Sequence, residues 1–544
     1  MTIPRTVRSA SLAIVWTIWA IAPAQGQAPP PPPPAPVVPP AIDQQIQNDR
    51  PQFFIRVWVD RENRTYTEGE PLTLKVRSEE DAFLYVLYQQ ADGKIFQIFP
   101  NSGQPDNRIK ARQDLTVPGL DDGFRWVIGA PFGNEVVKVI ASKMPIDALS
   151  LPGLRVARFN PITSDQVEGV GQGLAKEANS VWSEHDLAIQ TVARSAPIPP
   201  ADAGPKRFGA FFGVSKYQYD DDVFRITKKK LSLNAPSRDA QSMSDALKQA
   251  GGLNDLRIYQ DARATRAAMK QAITVWLPSV SRPGDTVFLY FSGHGTQIAD
   301  DTNEEEDGKD EVLMTHDFLP LSVFIDMLDR KAAGTLPADQ SKTVDRYAPE
   351  VGRLFRQIVG ADRHNEKKLE RYFDLASAYL SRVTAVDDDE MGHWVQKLDG
   401  RQVVVILDAC RSAGMAGDGK NQVKDLRGAD RQPRPDFDFL KAGFSRLKDL
   451  NQPSLTVLSA CSETENSLDG PENSLFTNLL ASLIQTATAP MEVRDGYEIC
   501  KAGLADIFER VNKTRIEEKK DPVDTFHPIF FSTDFRKVYL KPAP

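Results

Sequence analysis

Two short runs carry residue types suited to thiol catalysis. Ser292-Gly293-His294-Gly295 closes the apolar stretch DTVFLYFSGHG, and Asp408-Ala409-Cys410 closes a second, RQVVVILDAC. The thiolate is the nucleophile in such chemistry, so the cysteine must lose its proton to a nearby base, and an imidazole titrating near neutrality can take it. Glycines on both sides of His294 allow a tight turn. They also leave backbone N–H groups, that of Gly295 foremost, to donate to the oxyanion of a tetrahedral intermediate beside the N–H of Cys410. A lone buried cysteine is also often an inert small hydrophobe, and spacing alone leaves that alternative open. Of the three cysteines, Cys461 ends a third apolar run, SLTVLSAC, and Cys500 falls among apolar neighbours in GYEICKAGLADIFERV. Cys500 reads as structural. An odd count of three is no disulfide framework, and neither a C-x2-4-C nor an H-E-x-x-H spacing supports zinc.

The elements that must position these residues alternate in type from Arg207 onward. RFGAFFGVS, LRIYQ, DTVFLYFSGHG, RQVVVILDAC and SLTVLSAC read as strands, and SRDAQSMSDALKQAG and ATRAAMKQAITVWLPSV as amphipathic helices. Continuous apolar strands flanked by helices predict an α/β domain over residues 206–540, with a mostly parallel sheet buried on both faces. Ligands bind such sheets beyond the carboxyl ends of the strands, where the three runs above end. Residues 318–388 form a polar insertion with helical stretches and no legible function.

The preceding region has a different period. Residues 51–145 read as about five short strands of a small antiparallel β-sandwich, with Asp92-Gly93 as a hairpin turn. Residues 146–205 read as a linker with a helix around Glu177 to Ala193. Prolines crowd residues 25–50, a stiff spacer. At the N-terminus Arg5 and Arg8 precede an apolar stretch from Ala10 to Ala24 that ends in Ala22-Pro23-Ala24. That pattern reads as a signal peptide over residues 1–24, and it is shorter than the roughly 20 apolar residues of a spanning helix. The expectation is an exported protein, periplasmic or secreted, with no membrane span after cleavage. The 544-residue chain has 66 Lys and Arg against 74 Asp and Glu, a net charge of −8, which argues against a general nucleic-acid binder.

Taken in order, FLYFSGHGTQIADDTNEEEDGKDEVLMTHD, VVVILDACRSAG and TVLSACSETENSLDG with SLFTNLL resemble the caspase-like cysteine peptidases of the metacaspase kind, bacterial members included. The likeness spans Phe208 to Tyr539 and implies a non-catalytic, structural Cys461. It implies a Cys410/His294 dyad, nucleophile and general base, cleaving peptide bonds through an acyl-enzyme. It also implies an acidic S1 pocket for Arg or Lys, built from Asp408, Asp239 and Ser292. The segment LNAPSRD departs from the family pattern ahead of Asp239, so an ordinary first-turn aspartate is the alternative there.

The acidic stretch from Asp300 to Glu311 suits a hard cation, and the resemblance implies calcium, with Asp301, Asp307, Asp310 and Asp317 as candidate ligands; a solvated acidic loop is the alternative. Lys424, Arg427 and Arg431, in a basic loop after the nucleophile, are implied self-processing sites, with an uncleaved surface loop as the alternative. Protein or peptide substrates with basic residues are the expected partners. The N-terminal strands, through YTEGEP (66–71), Phe83 to Val86, Asp92-Gly93-Lys94 and Phe99-Pro100-Asn101, resemble a domain of unknown function common in exported bacterial proteins, which implies architecture, an unknown ligand and no activity. A catalytically inactive caspase-like binding or scaffold protein of the cell envelope is the competing reading of the whole chain.

Overall fold

The computed structural model describes residues 42–150, 159–179, 181–194, 204–299, 309–411, 454–460, 472–520, 525, 528–533 and 536–543, without the side chains of 309, 410 and 411. The expected signal segment and residues 25–41 of the expected proline-rich linker lie outside the described residues, as do the loop 300–308, the basic loop and Cys461, whereas residues 42–50 of that linker are described and begin with a short helix.

After a short helix α1 (Ile42–Gln45), eight strands follow where about five were expected: β1 (Ile55–Val59), β2 (Thr65–Thr67), β3 (Leu74–Ser78), β4 (Ala82–Gln89), β5 (Ile95–Phe99), β6 (Arg108–Ile109), β7 (Asp114–Val117) and β8 (Asn134–Ser142). Strands β1, β3 and β7 make one antiparallel sheet. Its inward residues Ile55, Val57, Leu74 and Val76 share a core with Leu84, Val86, Val137 and Val139 of the facing sheet, which is the expected sandwich.

The stretch expected as a linker instead completes that sandwich. β9 (Asn160–Ile162) pairs with β5, and α2 (Ser164–Leu174) starts at a capping box in which Thr163 accepts from the Gln166 N–H and Gln166 accepts from the Thr163 N–H. The helix expected around 177–193 is a strand, β10 (Trp182–Val192), which pairs with β8 antiparallel and with β2 in parallel. Leu187, Ile189 and Thr191 are buried and alternate with exposed Ala188 and Gln190, a period of two that the ladder enforces over local helix propensity. The β-domain therefore runs to about residue 194, not 145.

The second domain contains β11 (Arg207–Gly213), α3 (Asp220–Thr227), α4 (Pro236–Gln249), β12 (Asp255–Gln260), α5 (Arg266–Gln271), α6 (Leu277–Val280), β13 (Thr286–Ala299) and β14 (Lys309–Leu313). Then come α7 (Leu321–Ala332), α8 (Ala338–Ile358), α9 (Glu366–Thr384), β15 (Val386–Asp387), α10 (Asp388–Gln396), β16 (Gln402–Arg411) and β17 (Leu455–Ser459). α11 (Leu475–Thr486), β18 (Met491–Glu492), α12 (Val493–Glu517), β19 (Ile529–Ser532) and β20 (Tyr539–Lys541) complete it. The main sheet has the order β12-β11-β13-β16-β17-β19, parallel except for β19.

Period two sorts each strand between two cores. Val287, Leu289 and Phe291 face one, and Phe288 and Tyr290 the other, and Val403 to Leu407 on β16 divide in the same way. Both faces are covered, as the unbroken apolar runs predicted. Leu321, Phe324, Val351, Ala376 and Leu380 of the insertion belong to the first core, so α7, α8 and α9 are a packed layer of the domain. From β11 the chain goes to β12 on one side and β13 on the other. In such sheets a reversal of strand order marks the place of the ligand crevice, at the carboxyl ends.

Candidate active site

The parallel ladder between β13 and β16 sets Ser292 opposite Asp408, His294 opposite Cys410 and Gly295 opposite Arg411. Adjacent strands lie about 4.7–4.9 Å apart, so the expected nucleophile and base occupy neighbouring backbone positions at the strand ends. Beyond His294 the chain remains laddered on its other side as well, with Gly295 opposite Leu313 of β14 and the Met314 N–H donating to the His294 carbonyl at 2.9 Å.

Further contacts hold His294. Its Nε2 lies 2.7 Å from the carbonyl oxygen of Leu231, its backbone N–H donates to the Tyr217 hydroxyl at 2.9 Å, and its ring stacks on Tyr217 with centroids 5.4 Å apart. A carbonyl only accepts, so Nε2 carries the hydrogen and Nδ1 is the basic nitrogen of the neutral ring. Burial pushes the Tyr217 phenol well up, which keeps it a neutral acceptor. Leu231 is itself pinned, because Asp220 at the start of α3 accepts from the N–H groups of Leu231 and Ser232 and from the Ser232 hydroxyl.

Next to this pair the fold buries two carboxylates. Asp239, in the first turn of α4, is wholly buried, and Asp408 is 4% exposed. Ser474 joins them: its N–H donates to Asp239 Oδ1 at 2.9 Å and its hydroxyl to Asp408 Oδ2. Ser292 donates to Asp239 Oδ2 at 3.0 Å. Thr477 donates to Asp408 Oδ2 at 2.6 Å and, its proton thus committed, accepts from the Tyr290 hydroxyl at 2.6 Å. Burial, and then the charge of Asp408, push the Asp239 carboxyl up to about 7, against the pull of its hydrogen bonds from Ser474 and Ser292. A buried pair of like charges held by neutral donors favours a cationic guest, which would offset both their repulsion and their desolvation.

The helix α4 delivers Asp239 through close backbone contact. A Cβ on Gly213, the last residue of β11, would fall 2.3 Å from the Pro236 carbonyl, so glycine permits the approach. Asp261 fastens the same corner, accepting from the Ser215 and Lys216 N–H groups and the Ser237 hydroxyl at 2.8–2.9 Å.

The structure brings together His294, the Cys410 backbone position, Asp239, Asp408 and Ser292. It does not gather the expected metal ligands in the same way. Asp301 and Asp307 lie outside the described residues. Asp310, buried on β14, accepts from Arg382 at 2.7 Å, and Asp317 accepts from the Arg266 N–H at 3.0 Å and the Thr315 hydroxyl at 2.8 Å. Both carboxylates accept hydrogen bonds from protein donors. Among the described residues no group of three or more His, Cys, Asp or Glu is arranged to hold a metal. Lys424, Arg427 and Arg431 lie outside the described residues. Cys500 is core, fully buried on α12 with its thiol pushed up to about 12.

Sequence reasoning missed Leu231, Tyr217, Tyr290, Ser474 and Thr477. The carbonyl of Leu231 has no sequence signature. Ser474 had one, since a serine three residues before Thr477 opens the apolar helix LFTNLL, and its hydroxyl does accept from the Thr477 N–H as an N-cap.

Residues 218–338 match the family model described as the metacaspase, peptidase C14 domain, and residues 65–145 match a domain of unknown function, DUF4384. The first match includes Asp239 and His294 and stops before Cys410. Metacaspase-1 of Candida albicans is 30% identical over 162 residues, 26% of this chain and 35% of that protein. Metacaspase-1 of Saccharomyces cerevisiae is 44% identical over 62 residues, 11% of this chain and 14% of that protein. The chain thus spans about a third or less of the length of these relatives. A solved structure of caspase-1 from Spodoptera frugiperda aligns at a TM-score of 0.34 and 11% identity, over 65% of this chain and 96% of that one.

Proposed function

We propose that this chain, which carries a metacaspase-like domain, is a cysteine endopeptidase that cleaves after Arg or Lys. The observation that carries the reading is the register pairing of His294 with Cys410 beside the buried Asp239–Asp408 pair. In the reaction, His294 Nδ1 takes the thiol proton and the Cys410 sulfur attacks the scissile carbonyl carbon. Collapse breaks the C–N bond, the imidazolium returns its proton to the leaving amine, and a water deprotonated by His294 hydrolyses the thioester. The Leu231 carbonyl holds the ring throughout and stabilises the imidazolium. The substrate guanidinium or ammonium enters between Asp239 and Asp408.

Fluorogenic peptides with Arg, Lys or Asp at the cleavage position test this, beside Cys410→Ala and with calcium or chelator. The expected result is release from Arg and Lys peptides only, abolished in Cys410→Ala. Silence in every lane, with no labelling of Cys410 by a thiol-directed Arg-peptide inhibitor, would favour the inactive scaffold. Calcium dependence, self-cleavage at Lys424, Arg427 or Arg431, and export are parts of the same proposal that rest on sequence pattern. The chelator lane, mass analysis of incubated protein and cell fractionation address them in turn.

A further inference from the structure

The β-domain is fastened to the second domain by buried contacts. Phe54, just before β1, is fully buried in the first core of the second domain and stacks on His393 of α10 at 6.2 Å. Arg64, in the β1–β2 turn, donates to the Asp399 carboxylate at 2.6 Å and to its carbonyl at 3.1 Å, between α10 and β16. Lys397 reaches Asp186 at 2.6 Å and Glu184 at 3.1 Å on β10, and Lys138 of β8 closes the group at 2.5 Å from Glu184. Domains linked only by a tether share no core residue and bury no charges against each other.

One of these contacts leads to the catalytic strand. Arg50, between α1 and β1, pairs with Asp387, whose side chain is fully buried and caps α10 by accepting from the Glu390 N–H at 2.9 Å. Asp387 belongs to β15, which pairs with β14 through Val312, and β14 pairs with β13 through Gly295, one residue past His294. A second guanidinium works in parallel. Arg382 donates to the Ala299 carbonyl at the end of β13 and to Asp310 of β14, and lies 3.9 Å from Asp387. The Arg50 Nη1 also donates to the Arg382 carbonyl at 3.5 Å. Two arginines therefore brace the β13–β14–β15 extension, and one of them comes from the N-terminal side of the β-domain.

We propose that Arg50 is a positioning residue for the hairpin that bears His294, so that the segment leading into the N-terminal β-domain serves here as a fixed buttress of the catalytic strand. Without Arg50, Asp387 keeps a buried charge with Arg382 alone, which Asp310 already shares, and the β14–β15 ladder loosens.

The test is hydrogen exchange and kinetics on the full chain, comparing Arg50→Met, Arg50→Lys and, as a control on an exposed pair within the β-domain, Arg77→Met. Arg50→Met should exchange about ten-fold faster or more in 309–314 and 386–396 while β4 and β8 stay protected. Well below its melting temperature it should lose about ten-fold in kcat on an Arg peptide with KM little changed, and Arg50→Lys should recover most of both. Unchanged exchange in 309–314 overturns the proposal, and so does a uniform rise across both domains. If Arg50→Met does not fold, native-state exchange of the wild type in a denaturant series decides: β14 and β15 should open in one cooperative unit with β1 and β10, and separate opening overturns it. The kinetic arm rests on the peptidase reading and the exchange arm does not, so an inactive wild type counts against that reading while exchange still decides this one.

Discussion

The carbonyl oxygen of Leu231 lies 2.7 Å from Nε2 of His294, a residue 63 positions further along the chain. That bond assigns the tautomer and leaves Nδ1 as the acceptor nitrogen, the base of the proposed dyad. His294→Ala should lower kcat/KM by about 10²–10⁴-fold, the usual worth of a general base. Asp220→Ala, which frees the Leu231 and Ser232 N–H groups, should lower kcat by roughly ten-fold with KM largely kept, since a loosened ring costs on the order of one hydrogen bond. Steady-state kinetics on one Arg peptide checks both.

The Asp239 carboxyl, pushed up to about 7, should make the pocket sensitive to pH in two opposite ways. Recognition of a cation needs the carboxylate, so the ratio of kcat/KM for an Arg peptide to that for a neutral one should rise as pH rises through about 7. Asp239→Asn should flatten that ratio and raise KM for the Arg peptide by ten-fold or more, in keeping with roughly 2–5 kcal/mol for one partner of a buried charge pair.

Stability runs the other way. The folded state holds the Asp239 proton more tightly than the unfolded chain, whose carboxyl titrates near 3.8, so the folded protein binds more protons between about 4 and 7 and loses stability as pH rises across that window. Asp239→Asn should therefore melt higher than the wild type at pH 8, where the penalty is complete, and no higher at pH 4. Thermal melts at the two pH values decide it.

Thr477 relays between Tyr290 and Asp408. Thr477→Val keeps the shape and removes one hydrogen bond from each partner, and should cost about 1–3 kcal/mol of stability while raising KM for Arg peptides more than it lowers kcat. Thr477→Ser, which restores the hydroxyl, should recover both quantities.

Gly213→Ala should cost about 1–3 kcal/mol, because its Cβ would sit 2.3 Å from the Pro236 carbonyl and 2.9 Å from the Ala240 Cβ. Moving α4 to make room moves Asp239, so KM for Arg peptides should rise together with the fall in melting temperature.

The sequence by itself determined what alternation and punctuation encode. Unbroken Val, Ile and Leu runs ending in SGHG and DAC announced a buried parallel sheet with a histidine and a cysteine at its strand ends, and Asp92-Gly93 announced a hairpin. The helices of 321–384 were legible from their period, but their place in the core was not, since a period says which face is apolar and not what covers it. The strand at 182–192 was misread as a helix because its apolar residues satisfy either period until β8 and β2 pair with it. Only the tertiary structure decided the rest: the ladder that sets His294 opposite Cys410, the Leu231 carbonyl on Nε2, the meeting of Asp239 and Asp408 at Ser474, and the reach of Arg50 to Asp387. Each joins residues far apart in the chain through register, burial or a backbone atom, and none of those is written in the identity or spacing of neighbouring residues.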